Sequence, residues 1–276
     1  MTSLHDDLNY IRDLAAEAAH LVLHHYGKVD RLTKTNSATT DEAVTEADRA
    51  AQRLIVAGLK KQFPGDGIIG EESDTGNTIT FDVPNPMGRN WVIDPIDGTK
   101  NYIRGVPIWG TLISLMEGDT PVVGLVSAPA LGRRWWAARG LGAFAGRHQA
   151  NASPIKVSGV RRLADASFCY SSLDGWEQTG RLSSILDLMR KTWRSRAYGD
   201  FYGYMLLAEG ALDIMVEPEL MLWDMAALVP IVTEAGGKFT DLSGRPGVGG
   251  GSAVATNGQL HTDVLERLTP SGLHVL

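Results

Sequence analysis

Two aspartates three residues apart carry the clearest chemistry in this chain. They stand in Trp91-Val92-Ile93-Asp94-Pro95-Ile96-Asp97-Gly98-Thr99-Lys100-Asn101-Tyr102, where an apolar run reads as a strand and Pro95, lacking an N–H, is expected to stop it. Two carboxylates at a strand end can ligate hard cations through oxygen. Gly98 permits a tight turn, and helical geometry is expected to begin near Thr99, so the N–H groups of Gly98 and Thr99 can hold phosphate oxygens. Asp and Gly are equally at home in a solvated turn. Three other acidic positions gain meaning only if they meet this one. Glu71, in Gly70-Glu71-Glu72-Ser73, follows the short apolar run Ile68-Ile69 and reads alone as an exposed acidic turn. Asp224, in Leu222-Trp223-Asp224-Met225, stands where a helix begins and reads alone as a cap. Asp48, in Val44-Thr45-Glu46-Ala47-Asp48, is a helix residue that either faces solvent or points at the site. Like charges ~4 Å apart repel by about 4 kcal/mol at an effective dielectric of roughly 20. A cluster of Glu71, Asp94, Asp97 and Asp224 therefore demands cations, and an all-oxygen donor set favours Mg²⁺ or Mn²⁺ over Zn²⁺.

The elements that must position these groups follow from periodicity. Leu8, Ile11, Leu14, Ala15, Ala18, Leu21 and Val22 form a helical stripe over 6–26, with Gly27 as its stop. Residues 33–40 are polar without period and read as a mobile loop. A second helix is expected from about Glu42 to Phe63. Strands are expected at 68–69, 91–93, 111–116, 122–127, 134–138 and 143–145, with a hairpin turn at Gly118-Asp119. In the second half strands are expected at 166–171, 213–217, 237–241 and 252–256, and helices at about 177–191, 200–210, 224–235 and 260–268. Strands and helices come in runs, which is α+β layering and not strict βαβ alternation.

The chain has 276 residues, enough for one large core or two close-packed lobes. A soft boundary near residue 150 would separate an α+β lobe bearing the metal motifs (1–150) from an α/β lobe completing the site (151–276). The net charge of −6 argues against a nucleic-acid partner. The single cysteine, Cys169, excludes an intramolecular disulfide and a cysteine zinc cluster, and its apolar surroundings read as core packing. No basic-then-apolar leader opens the chain and no apolar run approaches the ~20 residues of a membrane span, so a cytoplasmic location is expected.

Taken together, Gly70-Glu71-Glu72-Ser73, Asp94 through Asn101, Trp223-Asp224 and Glu234-Ala235-Gly236-Gly237 resemble the motifs of the inositol monophosphatase family, metal-dependent and lithium-sensitive phosphatases. The resemblance spans most of the chain. It implies a layered αβαβα sandwich, a homodimer, and a small phosphate ester as substrate. It implies two to three Mg²⁺ per site: a first on Glu71, Asp94 and the Ile96 carbonyl, a second on Asp94, Asp97 and Asp224, and a weaker third sharing Glu71. Thr99, paired with Asp48, would orient and deprotonate the attacking water, and Lys34 would lie in a loop closing over the site. Attack on phosphorus would be in line, with no phosphoenzyme.

The substrate side departs from the inositol-specific pattern. Arg194-Ser195-Arg196-Ala197-Tyr198-Gly199-Asp200-Phe201-Tyr202 places Asp200 where inositol enzymes carry a small or hydroxyl residue, and Glu217 matches the family's substrate-facing glutamate. With Asp97 they would make an anionic leaving-group pocket suited to an amine or imidazolium. Arg196 is a further candidate substrate contact, and Asp200 could equally be a helix N-cap. The Tyr-Gly-Asp-Phe pattern, Arg133-Arg134-Trp135-Trp136-Ala137 and Gly250 through Asn257 resemble the histidinol-phosphate phosphatase branch, which implies L-histidinol phosphate as substrate. The alternatives are another ester, such as inositol 1-phosphate, or a non-catalytic metal-binding protein. His20 and His24 have zinc-compatible spacing without a third ligand and read as surface or interface residues. Gly247 to Gly251 lacks the Lys-Ser or Lys-Thr of a nucleotide loop, and Gly140-Leu141-Gly142 lacks a dinucleotide-binding context. Strand alternation puts one of Trp135 and Trp136 inward and leaves the other for a dimer contact.

Overall fold

The structure, a computed structural model, describes residues 3–27, 46–72, 79–82 and 88–268. Lys34, the polar segment 33–40 and the expected start of the second helix at Glu42 lie outside the described residues. In chain order the elements are α1 (Leu4–His25), α2 (Glu46–Gln62), β1 (Gly67–Gly70), β2 (Ile79–Asp82), β3 (Arg89–Asp97), α3 (Thr99–Arg104), β4 (Gly110–Glu117), β5 (Thr120–Ala128), β6 (Arg133–Ala138), β7 (Gly142–Gly146) and β8 (Ser153–Pro154). They continue as β9 (Ser167–Cys169), α4 (Leu173–Gln178), α5 (Leu182–Lys191), β10 (Arg194–Ser195), α6 (Asp200–Ala208), β11 (Ile214–Glu217), α7 (Leu222–Ala226), α8 (Leu228–Glu234), β12 (Lys238–Thr240), β13 (Ala253–Thr256) and α9 (His261–Leu268).

Two sheets result. Residues 67–154 build one of eight strands in the order β2-β1-β3-β4-β5-β6-β7-β8, and residues 167–256 build one of five in the order β10-β9-β11-β13-β12. The first is an antiparallel meander apart from the parallel β1–β3 pair. Side-chain alternation builds the layers. On β3, Trp91 and Ile93 pack with Leu8, Ile11, Leu14 and Ile55 of α1 and α2, whereas Val92 points to the opposite face, among Phe201, Leu228 and Ile231 of α6 and α8. On β11, Met215 joins that second layer, while Ile214 and Val216 face Trp176, Ile185, Leu188 and Val264 of α4, α5 and α9. The order is therefore α1/α2, large sheet, α6–α8, small sheet, α4/α5/α9, an αβαβα sandwich. Among the described residues no helix is long and apolar enough to cross a membrane.

Several expectations are corrected. The strand does not stop at Pro95: β3 runs through it to Asp97, because Pro95 sits in a bulge where no ladder N–H is needed. The expected helix 177–191 is two helices, broken at Gly180 with φ +70°. The expected helix 224–235 is also two, joined at Ala227, with Pro230 in the first turn of α8 where its missing N–H costs nothing. Trp135 and Trp136 are both buried, on opposite faces of β6, so neither is left for a dimer contact; α1 covers the second, with Arg12 over its ring. The hairpin at Gly118-Asp119 is present, closed by the Glu117–Thr120 pair, and Cys169 is core.

Candidate active site

The carboxylates come together at one end of β3. In a regular strand Asp94 and Asp97 would face opposite sides. Asp94 pairs with Leu112 and Asp97 with Gly110, so Pro95 and Ile96 oppose the single residue Thr111. This one-residue bulge brings the two side chains to the same side. Thr111, buried, secures it by donating from Oγ1 to the Pro95 carbonyl at 2.8 Å. Gly70 is in register with Ile93 on the parallel neighbour, so Glu71 emerges beside Asp94; its N–H donates to the Ile93 carbonyl at 3.2 Å. Asp224 arrives from across the layer on α7, where its Oδ2 accepts from Met221 N at 2.7 Å. Gly124 on β5 lets this segment approach, since a Cβ there would overlap the Ala227 carbonyl oxygen.

Asp94, Asp97 and Asp224 each present an oxygen within 4.8 Å of the others. The Glu71 and Asp94 carboxyls act on one another directly, a repulsion that a proton or a cation between them would relieve. Burial pushes Glu71 up to about 8, with the charges of Glu72, Asp224 and Asp48 adding to the shift. Asp94 and Asp97 are held well above the usual carboxylate range, first by burial, then by neighbouring carboxylates: Glu71, Asp97 and Asp224 for Asp94, Asp200 and Asp224 for Asp97. Burial also raises Asp224 to about 6. Glu71 Oε2 and Asp94 Oδ1 are buried without a hydrogen-bond partner. An all-oxygen donor set, mutual repulsion and buried acceptors without partners fit a divalent cation.

Thr99 begins α3 immediately beyond this cluster. Its Oγ1 lies 2.8 Å from the Ile96 carbonyl, to which it donates, and 3.4 Å from Asp48 Oδ1. Asp48 is fully buried on α2 and contributes to the charge felt by Glu71. Gly98 has φ +82°, and a Cβ there would stand 2.9 Å from the Ile108 carbonyl and 3.2 Å from Asp200 Oδ2. Glycine at this turn is thus required both by backbone and by the approach of Asp200.

Among the residues expected to face the substrate, Asp200 is the first residue of α6 with φ +48°, and Gly199 is the N-cap, so Asp200 is not the cap. Its Oδ2 accepts from Asn101 Nδ2 at 2.9 Å, and burial raises it to about 6 against the opposing charge of Lys100. Phe201 N donates to Asp97 Oδ2 at 2.6 Å, tying α6 to the Asp97 turn. Glu217 ends β11, buried, and burial pushes it up to about 8 while Tyr204 and Ser171 hydrogen bonds oppose the shift. Arg196 is exposed and its guanidinium donates to the Ser195 carbonyl at 2.7 Å, so the geometry does not draw it into the pocket.

Residues 4–271 match the Inositol monophosphatase family. The chain belongs to the inositol monophosphatase family. It is 53% identical over 264 residues to a histidinol-phosphatase of Streptomyces coelicolor, covering 94% of this chain and 96% of that one. It is 49% identical over 264 residues to a histidinol-phosphatase of Mycobacterium tuberculosis, covering 96% and 98%. An IMPase of Thermotoga maritima shares the fold with a TM-score of 0.81 at 32% identity, over 95% of this chain and 96% of that one. Members of the inositol monophosphatase family are metal-dependent phosphatases, and the acidic cluster accords with that dependence.

Sequence reasoning missed several residues that hold the site of this family member in shape. Gln52, one turn after Asp48 on α2, clamps Glu72 by accepting from its N–H at 3.0 Å and donating to its carbonyl. Asn101 bridges Asp200 and the Ile108 carbonyl. Tyr204 bonds Glu217, and Ser171, at φ +59°, helps favour its charged form. The only sequence signal for these was polarity beside a motif or on an otherwise apolar helix.

Proposed function

We propose that this chain hydrolyses L-histidinol phosphate to L-histidinol and phosphate, with Mg²⁺ as its metal and Mn²⁺ as the alternative. The observation that carries the reading is the paired anionic surface: a buried metal-type cluster of Asp94, Asp97 and Asp224 with Glu71 on one side, and Asp200 and Glu217 beside Asp97 on the other. A neutral polyol can donate to a carboxylate such as Glu217 but does not require the extra negative charge that Asp200 brings, whereas an ammonium or imidazolium benefits from it. The histidinol-phosphatases at 53% and 49% identity support the same ester. The homodimer implied by the resemblance belongs to this proposal, as does the cytoplasmic location expected from the sequence.

Glu71, Asp94, Asp97, Asp224 and the Ile96 carbonyl would hold the cations. Bound Mg²⁺ supplies charge neutralisation and acidifies water. The turn from Asp97 to Thr99 orients the phosphoryl group, with Gly98 leaving room for it. Thr99 can pass its own proton to Asp48 Oδ1, 3.4 Å away, as it takes one from the attacking water. Asp200 and Glu217 orient the leaving alcohol through its cationic groups. Initial rates of phosphate release at matched Mg²⁺ test the reading. A higher kcat/KM for L-histidinol phosphate than for inositol 1-phosphate is expected, and the reverse order would overturn it.

A further inference from the structure

Tyr204 puts a phenol where an apolar ring would pack equally well. It is fully buried on α6, and its ring stacks on Phe239 with centroids 5.6 Å apart. Its hydroxyl donates to Glu217 Oε2 at 2.7 Å. A buried hydroxyl is costly unless bonded, and this one finds its partner in a carboxylate from a different element. Tyr204 follows Asp200 by four residues, so one face of α6 delivers both side chains toward the same pocket. Ser171, held in the left-handed region, also favours the charged form of the Glu217 carboxyl.

We propose that Tyr204 is a positioning residue that fixes the Glu217 carboxylate as the receiver of the substrate's ammonium or imidazolium group. The proposal rests on the histidinol phosphate reading above. Glutamate has several rotatable bonds, and a carboxylate has four acceptor directions. Buried near Asp200 and Asp224, an unbonded Glu217 is driven to turn away or to keep a proton, and in either state it receives a cation poorly. The Tyr204 O–H holds one carboxylate oxygen in place, favours the charged form and leaves the remaining lone pairs for the ligand. The phenol thus acts through Glu217 without touching the substrate.

The test uses the Mg²⁺-loaded enzyme with Tyr204→Phe, Glu217→Gln and the double variant, on L-histidinol phosphate and inositol 1-phosphate. Phenylalanine keeps the ring and its stack. Taking the ratio of kcat/KM on the two esters removes any difference in the amount of folded enzyme. Tyr204→Phe is expected to lower that ratio about tenfold, equivalent to about 1.4 kcal/mol, chiefly through KM for histidinol phosphate. The double variant should be no worse than Glu217→Gln alone, because the hydroxyl works through that carboxylate. An unchanged ratio in Tyr204→Phe, or losses that multiply in the double variant, would overturn the role of Tyr204 alone. If Glu217→Gln leaves KM for histidinol phosphate unmoved, Glu217 is not the receiver and both ideas fall together. A wild-type enzyme without preference for histidinol phosphate would overturn the substrate reading itself, and the proposal with it.

Discussion

Asp200 opens α6 with φ +48°, one oxygen bonded to Asn101 and its carboxyl beside the Asp97 turn. A non-glycine residue in this region carries strain of order 1 kcal/mol or more, and asparagine tolerates it best after glycine. Asp200→Asn therefore keeps the backbone while removing the charge. Its amide oxygen would accept from Asn101, which turns the NH₂ group toward the place the substrate cation should occupy. A charge-assisted hydrogen bond contributes roughly 1.5–3 kcal/mol, so kcat/KM for L-histidinol phosphate is expected to fall by about 10- to 100-fold. On inositol 1-phosphate the loss should be several-fold at most. Steady-state kinetics on both esters check this, and equal losses would remove Asp200 from the selectivity account.

At the scale of elements, the decisive feature is the bulge that lets β3 present Asp94 and Asp97 on one side. It depends on Thr111, whose buried hydroxyl bonds the Pro95 carbonyl at 2.8 Å. Thr111→Val keeps the shape and strands that carbonyl, at about 1–3 kcal/mol. A Tm lower by several degrees and a several-fold weaker Mg²⁺ affinity by calorimetry are the expected results; unchanged affinity would mean the bulge holds without Thr111. This feature also marks the limit of what the sequence disclosed. The strand, the turn and the helix start around Asp94 to Thr99 were legible because apolar alternation, proline and glycine are local signals. The bulge was not, since proline reads locally as a stop and only the pairing with β4 shows that the strand continues. Strands β8 and β10, of two residues each, exist through their neighbours and are too short to carry a period of their own, and β2, of four, is short enough to pass as a loop. The convergence of Glu71 and Asp224 on Asp94 was inferable as chemistry, from repulsion that only cations relieve. The roles of Gln52, Ser171, Asn101 and Tyr204 escaped notice because each acts on a partner brought near by the layering and not by sequence.

The whole molecule stores these carboxylates in the seam between its layers, and that choice couples stability to pH and to metal. Glu71, Asp94, Asp97, Asp200, Glu217 and Asp224 all sit above their ordinary values of 3.8 or 4.5, two of them at about 8 and two at about 6. Between about pH 4.5 and 8 the folded, metal-free chain binds more protons through these groups than the unfolded chain does. Their contribution to stability is therefore present at the acid end of that window and is lost as pH rises through it. A divalent cation reverses the trend, because it binds the folded cluster only after displacing its protons. Binding at a hundred times Kd adds about 2.7 kcal/mol, which for a chain of this size raises Tm by roughly 5–10 °C. Thermal melts in EDTA should thus show Tm declining from pH 5.5 to 8. Melts in saturating Mg²⁺ should show a gain that is small at pH 5.5 and largest at pH 8. A Mg²⁺ gain independent of pH, or a metal-free Tm that climbs across the window, would mean that these carboxylates are not the ones that cations neutralise.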